Sequence, residues 1–352
     1  MRNFFKGIFT VLNIIAIICL AGSYLSVYIS PANYWAPAFL GLAFSYFLFA
    51  NILAILFWLI FKPLYALPSL LLIALGYGHV ANYYQFSGKE TENYGIDVVS
   101  YNVQGFFGGN SKKTVKQNVL QVVKYLEQFE ADVICMQEAS YAGRIYGDWK
   151  EEFEGYNLPK YGLSKGGQVI MSNYPFINSK KQDFEGTGNN FIYADVLKGG
   201  DTIRIYNCHL QSYAFTRNDI GLIDSIGVES QTELLKDAEL YVNKLKRGFI
   251  KRAEQVDALR KSIETSPYPV IVCGDFNDTP VSYTYQEVKG ANLNDAFVES
   301  GNHLGGTYHG KLPSFRIDYI FHGDQFKSYN FKTEHVDYSD HFPIKCRLIQ
   351  EN

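Results

Sequence analysis

Between Lys6 and Lys62 no side chain carries a charge. An apolar run of that length is enough for two bilayer crossings of about 20 residues each. The expected spans are 8–28 and 39–61, separated by a turn holding Ser30, Pro31, Asn33, Tyr34, Trp35 and Pro37. Tyr34 and Trp35 are the aromatic types that favour a membrane–water boundary. A third run, 64–84, is weaker because Pro68, Gly76, Gly78, His79 and Asn82 interrupt it. A cleaved signal peptide fits the first run poorly, since the run is long and another follows at once. Residues 1–88 therefore read as a transmembrane anchor of two or three helices, with the lipid bilayer as its partner. Arg2, Lys6 and Lys62 belong on the cytoplasmic side by the positive-inside rule. Three spans then place the rest of the chain outside the cytoplasm, on the cytoplasmic (inner) membrane of a bacterium; two spans would leave it inside. His79 reads as an interfacial or helix-packing residue.

The remainder is a different material. Three of the chain's 32 basic residues and none of its 35 acidic ones precede residue 89, so residues 89–352 carry 29 bases against 35 acids, a net of −6. Tight nucleic-acid binding through many phosphate contacts calls for a basic excess, which this part lacks. A metal ion or a local patch can still substitute for global charge. Cys19, Cys135, Cys208, Cys273 and Cys346 sit in apolar stretches with no CxxC pair. They read as buried free thiols, neither a disulfide framework nor a zinc site.

Strand-length apolar runs recur at 96–103, 132–137, 168–172, 191–197, 202–210, 269–276, 316–322 and 342–348. They are rich in β-branched and aromatic residues. Helical patterns cover 114–129 and 250–264, and a further amphipathic stretch covers 232–246. Strict strand–helix alternation is missing, and Gly199-Gly200 suits a hairpin, so the pattern predicts a mixed α/β domain over 96–350 with much antiparallel pairing. The stretch 212–248 is long for a connection and reads as a functional or inserted element.

Polar residues collect where these runs end: Asn102, Gln137 and Glu138, Asn207 and His209, Asp275, Asn277 and Asp278, Asp318, and Asp340 with His341. Each alone is explained by turn formation, helix capping or a surface ion pair. Their joint occurrence, each at a separate strand end, is what carries weight. Tyr101-Asn102-Val103, Met136-Gln137-Glu138, Asn207-Cys208-His209-Leu210, Gly274-Asp275-Phe276-Asn277, Arg316-Ile317-Asp318-Tyr319 and Ser339-Asp340-His341 together resemble the endonuclease/exonuclease/phosphatase superfamily. That group includes deoxyribonuclease I, abasic-site endonucleases, inositol-polyphosphate 5-phosphatases and neutral sphingomyelinases. The resemblance covers about residues 96–349, with the six motifs in family order. It implies a deoxyribonuclease I-like four-layer α/β/β/α sandwich with the site at one edge of the sheets, and it says nothing of the anchor. The tyrosine that some members use before the position of His209 is not clearly matched, which argues against an abasic-site activity.

Phosphodiester cleavage needs a hard cation, an activated water and donors for the charge developing on phosphoryl oxygens. Glu138 is the expected first ligand of Mg²⁺ or Mn²⁺, with Asp340 second and Asn102 bridging metal and phosphate. Asp275 is expected to orient or deprotonate the water, with Asn277 beside it holding phosphate or water. His341, oriented by Asp318, supplies a charged donor, since a carboxylate partner raises an imidazole pKa and fixes its tautomer. His209 is a second donor. Asn207 shares its face by strand alternation and is a further phosphate-contact candidate or a support for His209. His303, His309, His322 and His335 read as solvated or strand-edge residues; Tyr283, Tyr285 and Arg316 divide equally between substrate contact and packing.

Three functions fit: a membrane-anchored phosphodiesterase or phosphatase acting on a phospholipid head group, a membrane-tethered nuclease, and a non-catalytic scaffold of this fold. The retained polar set argues against the third. An amphipathic lid from 212–248 facing the bilayer would favour lipid, and a basic groove beside the site would favour nucleic acid.

Overall fold

Residues 2–108, 114–140, 155–213, 231–310 and 315–351 are described by the computed structural model. Of the 212–248 stretch, 214–230 lies outside them. The chain forms two units, Met1–Asn82 with Tyr213–Glu254 and Asp278–Gln286, and Tyr83–Ser212 with Gln255–Asn277 and Glu287–Asn352. Neither hydropathy nor motif spacing signals that two later segments join the apolar helices.

In the first unit the apolar runs form α1 (Arg2–Leu25), α2 (Ala36–Leu42), α3 (Phe44–Phe61), α4 (Leu67–Leu75) and α5 (Tyr77–Ala81). Lys6–Leu25 and Phe44–Phe61 are long and apolar enough to cross a membrane. The expected span 39–61 is divided at Ala43, and the run 64–84 is broken at Gly76. A Cβ on Gly76 would lie 2.1 Å from the Tyr24 ring, so the small residue that interrupts the helix also admits the tyrosine. Large apolar side chains point outward, among them Ile18, Ile60 and Leu75. Inside, Trp58 Nε1 donates to Asn13 Oδ1 (2.9 Å), Asn13 Nδ2 to Ser69 Oγ (2.9 Å), and Ser69 Oγ to Asn51 Oδ1 (2.8 Å). Amides in apolar surroundings are costly unless bonded, so this chain of bonds fixes the register of α1, α3 and α4.

The expected helices 232–246 and 250–264 are one helix, α7 (Gln231–Glu264). A helix-interior glycine costs only about 1 kcal/mol, which packing outweighs here. Gly248 is buried with Tyr213 close over it, and Phe249 beside it packs edge-on against Phe39 at 5.1 Å.

The second unit holds two six-stranded sheets. One runs β13 (Phe326–Thr333), β14 (Ile344–Gln350), β2 (Ile96–Asn102), β3 (Val133–Gln137), β5 (Gln168–Ser172), β4 (Tyr161–Lys165). The other runs β10 (Leu293–Asp295), β12 (Asp318–Gly323), β9 (Val270–Asp275), β8 (Asp201–His209), β7 (Asn190–Lys198), β6 (Phe176–Asp183). A two-stranded ribbon pairs β1 (Tyr84–Gln85) with β11 (His303–Leu304). Period-two alternation sorts the side chains. Val98, Val133, Cys135 and Ile170 face Ile192, Ile205, Ile271 and Cys273 between the sheets. Val99, Ile134 and Met136 face Val119, Val122 and Leu126 of α6 (Val115–Glu127) on the outer side. Thr114 and Gln117 cap α6 reciprocally. Tyr206, pointing outward from the second sheet, donates to the Ser262 carbonyl of α7. The result is two packed sheets flanked by helices, as expected. Cys135, Cys208, Cys273 and Cys346 are buried free thiols and Cys19 is partly buried.

Each sheet has one parallel pair at its centre, β2 with β3 and β8 with β9. Parallel neighbours end together. Asn102 therefore sits opposite Gln137, and His209 opposite Asp275, where antiparallel β12 begins with Asp318. The polar strand ends meet at one edge for this topological reason.

Candidate active site

Asp275 is the hub. Its Oδ2 accepts from Asn102 Nδ2 (2.8 Å) and Asn277 Nδ2 (3.2 Å), and its Oδ1 accepts from the Asn277 backbone N–H (2.8 Å). His341 Nε2 lies 3.7 Å and His209 Nε2 3.9 Å from the same Oδ2. Gly274 makes this approach possible: at φ +152 a Cβ there would meet the Cys208 carbonyl oxygen at 2.1 Å. Only a glycine lets β9 run that close to β8. Asn277 and Glu138 hold left-handed φ of 51° and 55°, a conformation uncommon for non-glycine residues and concentrated at functional sites.

Glu138 Oε1 accepts from Asn102 Nδ2 (3.3 Å) and lies 3.5 Å from His209 Nε2. Its side chain is 41% exposed, against 28% for Asp340 and 1% for Asp275. Ser339 Oγ donates to the Asn102 carbonyl (2.7 Å) and accepts from the His341 backbone N–H (3.2 Å), which brings Asp340 to the site. Burial raises the Asp340 carboxyl pKa; His341 opposes this, and Glu138 adds to it by like-charge repulsion. Two carboxylates that repel one another fit the site of a divalent oxygen-seeking cation.

His341 Nδ1 is bonded to Asp318 Oδ2 at 2.9 Å. Burial pushes its pKa down, but Asp318, Asp275 and Asp340 outweigh burial and raise it to about 10. His341 is thus an imidazolium at neutral pH. Burial raises the Asp275 carboxyl pKa, His341 lowers it and Asp318 raises it. Asp318 Oδ1 is buried without a hydrogen-bond partner. Asp275, Asp318 and His341 offer ligand atoms within 4.8 Å of one another. A protonated imidazole has no lone pair to give, so His341 suits a donor better than a ligand, while Glu138 and Asp340 offer carboxylate oxygens that could hold a cation.

Asn102, Glu138, His209, Asp275, Asn277, Asp318, Asp340 and His341 therefore meet. Asn207 does not join them. It is fully buried, its amide donates to the Met136 and Val169 carbonyls (2.8 Å each), and its oxygen accepts from Gln137 Nε2 (2.7 Å). With the amide's bonds so used, Asn207 ties one sheet to the other beneath the site. Arg316 is buried against Asp295 (2.6 Å), a packing role, and Tyr285 is buried too. His322 departs from the solvated expectation: it is fully buried, 3.0 Å from Glu299. His309 stacks on Phe342 at 4.0 Å, His335 lies 4.5 Å from the same ring, and His79 stacks on Tyr24.

Two contributors carried no strand-end signal. Thr307 Oγ1 accepts from the backbone N–H groups of Ile317 and Asp318 (3.1 Å each), holding the start of β12. Tyr308 lies edge-on to His341 at 5.2 Å. Only pairing between distant segments, here the bridge of Tyr308 to His341, puts them in place. Beside Glu138 and His209 a groove of about 620 Å³ opens, lined also by Phe107, Gly167, Gly188 and Ser212.

A carboxylate hub, an imidazolium held by a second carboxylate and two further acids thus gather at one edge of two packed sheets. A family model described as Endonuclease/Exonuclease/phosphatase family matches residues 99–341, and the chain belongs to that family. Its members are typically metal-dependent phosphoesterases and nucleases. Residues 6–83 match a domain of unknown function, DUF8431. No curated protein matches the chain. Among solved structures, the human Nocturnin catalytic domain with bound sulfate aligns with TM-score 0.51 at 16% identity, covering 73% of this chain and 94% of that one. D. rerio TDP2 complexed with single-strand DNA product aligns with TM-score 0.50 at 19% identity, covering 73% and 100%. These likenesses show the shared fold.

The charge of His341 predicts a pH dependence. A folded-state pKa raised from 6.5 to about 10 gives a stabilising pairing that is complete below 6.5 and lost as pH rises through about 10. In metal-free protein, the imidazole ¹⁵N shifts of His341 are expected to titrate near the upper value. Asp318→Asn should move that midpoint about 1–3 pH units lower. An unchanged midpoint in the variant would show that Asp318 does not hold the proton.

Proposed function

We infer that this protein is a membrane-anchored, Mg²⁺- or Mn²⁺-dependent phosphodiesterase whose substrate is a phospholipid head group. One observation carries the choice of substrate. The amphipathic helix α7 packs with the apolar helices, Phe249 against Phe39 and Lys246 over Trp35 at 5.0 Å, which favours a substrate drawn from the bilayer.

The site's chemistry supports hydrolysis. Glu138, Asp340 and Asn102 would hold the cation, which when bound neutralises charge on the phosphoryl oxygens. Asp275 Oδ2, fixed by Asn102 and Asn277, is set to accept a proton from the attacking water. His341 Nε2 and His209 Nε2 face the same carboxylate and present N–H donors to phosphoryl oxygens. Asp318 keeps His341 charged for that task.

Packing within the helical unit supports three crossings. Ser69 lies beside Asn13 and His79 beside Tyr24, so α4 and α5 retrace the depth covered by α1 despite the break at Gly76. The chain then leaves the helices at the end away from Lys6 and Lys62, outside the cytoplasm.

The deciding assay offers the full chain, in nanodiscs with Mg²⁺ or Mn²⁺, head-group-labelled phospholipids, plasmid DNA and RNA. Head-group release that is abolished by EDTA and by Asp275→Ala is the expected result. Nicking of DNA or RNA that is lost in the alanine variant, without lipid turnover, would establish the tethered-nuclease alternative.

A further inference from the structure

Within an acidic domain sequence, residues 243–251 of α7 carry Lys244, Lys246, Arg247 and Lys251 and no acid. The helix has two faces here. Phe249 and Arg252 are buried, Arg252 against Asp278 at 3.2 Å and over the Tyr213 ring at 4.4 Å. The opposite side presents Lys246, Arg247 and Lys251 with Asn243, Ile250 and Glu254 around a shallow depression of about 410 Å³. Arg247 is exposed and has no ion-pair partner among the described residues. Leu240 and Val242, one to two turns earlier, are exposed apolar residues.

A basic helix face is most often simply solvated. Two observations set this one apart. The Lys246 ammonium rests on Trp35, next to exposed Tyr34, in the turn between the two long apolar helices. Trp and Tyr in such a turn mark the head-group level of a bilayer, so the basic cluster lies at that depth. Basic residues alternating with apolar ones on one helix is also the pattern of helices that lie in the membrane interface.

We propose that the 243–251 face of α7 is a docking surface for anionic lipid head groups of the bilayer that the apolar helices cross. This rests on the anchor assignment made above. Each Lys or Arg near an anionic membrane surface changes occupancy about fivefold, so three charge reversals are expected to abolish the contact.

The test uses the full chain with Cys19→Ser and an environment-sensitive fluorophore attached through Val242→Cys. Nanodiscs contain shallow spin-labelled lipid, with or without about 30% phosphatidylglycerol. The label at position 242 is expected to be quenched at least twofold more in the anionic discs. That difference should vanish in about 1 M salt, and in R247E and in K246E/R247E/K251E. A second label, through Leu56→Cys in α3, reports insertion of the apolar helices. If position 56 is quenched in both lipids while position 242 ignores lipid charge, the docking surface is wrong and the anchor stands. If position 56 is quenched in neither, the anchor itself is wrong and the docking surface falls with it. Protection of position 242 by single-stranded DNA with no response to lipid charge would make the face a nucleic-acid surface and overturn the lipid assignment.

Discussion

Asp275→Asn is expected to lower kcat by about 10³-fold while the protein stays folded, since a positioned general base contributes typically 10²–10⁴-fold. The reasoning is geometric. Three donors converge on the Asp275 carboxylate, two amides and one backbone N–H, and two imidazoles lie within 4 Å of it. An amide of the same shape must present an N–H₂ to some of these donors, losing both the proton acceptor and the bonds that aim it. Asn102 and Asn277 keep their backbone anchors, so the sheets need not move. KM is expected to change little, because the groove beside Glu138 is lined by other residues. The check pairs steady-state kinetics on a chromogenic phosphodiester with thermal unfolding. A kcat within fivefold of the parent, at unchanged Tm, would remove Asp275 from the chemistry.

Glu138→Ala is expected to weaken Mn²⁺ binding by roughly 100-fold or more, beyond what loss of an outer-shell partner costs. Of the three site carboxylates compared for exposure, Glu138 is the outermost. A cation that keeps several waters binds where a carboxylate still meets solvent. The repulsion it exerts on Asp340 is removed by the substitution, so the Asp340 carboxyl pKa should fall toward the ordinary range. Calorimetric titration with Mn²⁺ and the metal concentration for half-maximal activity measure the same loss independently. Chelation with EDTA should bring the parent protein to the activity of the variant. Equal Mn²⁺ affinity in parent and variant would place the cation elsewhere, with the Asp275–Asp318–His341 group next in line.

Much of the candidate site is legible in the sequence because polar residues stand where apolar strands begin or end. Asn102, Glu138, His209, Asp275 and Asn277 close or follow an apolar run, whose ends parallel pairing at both sheet centres aligns, and Asp318, Asp340 and His341 stand at or before the start of one. The same rule left Asn207 open between a phosphate contact and a support for His209. It alternates correctly with His209 on β8, but one step deeper it points between the sheets, where only an amide can bond across to Gln137, Met136 and Val169. His322 differs in the reverse direction: it lies on β12 between β9 and β10, with Glu299 at 3.0 Å, and that pairing on both sides is invisible in its own neighbours. The edge strands β4 and β6 carry too weak a signal in the sequence: β4 alternates over only five residues and β6 lacks period two.

Local chemistry written in the sequence determined most of the elements, the apolar helices and the polar side chains of the candidate site, because hydropathy period and side-chain type act over a few residues. Tertiary structure alone decided which groups share a carboxylate, that Thr307 and Tyr308 belong beside His341, and that α7 packs with the apolar helices. Those outcomes depend on contacts between residues tens to hundreds of positions apart. No local pattern encodes such contacts, and only the packed chain brings them within bonding distance.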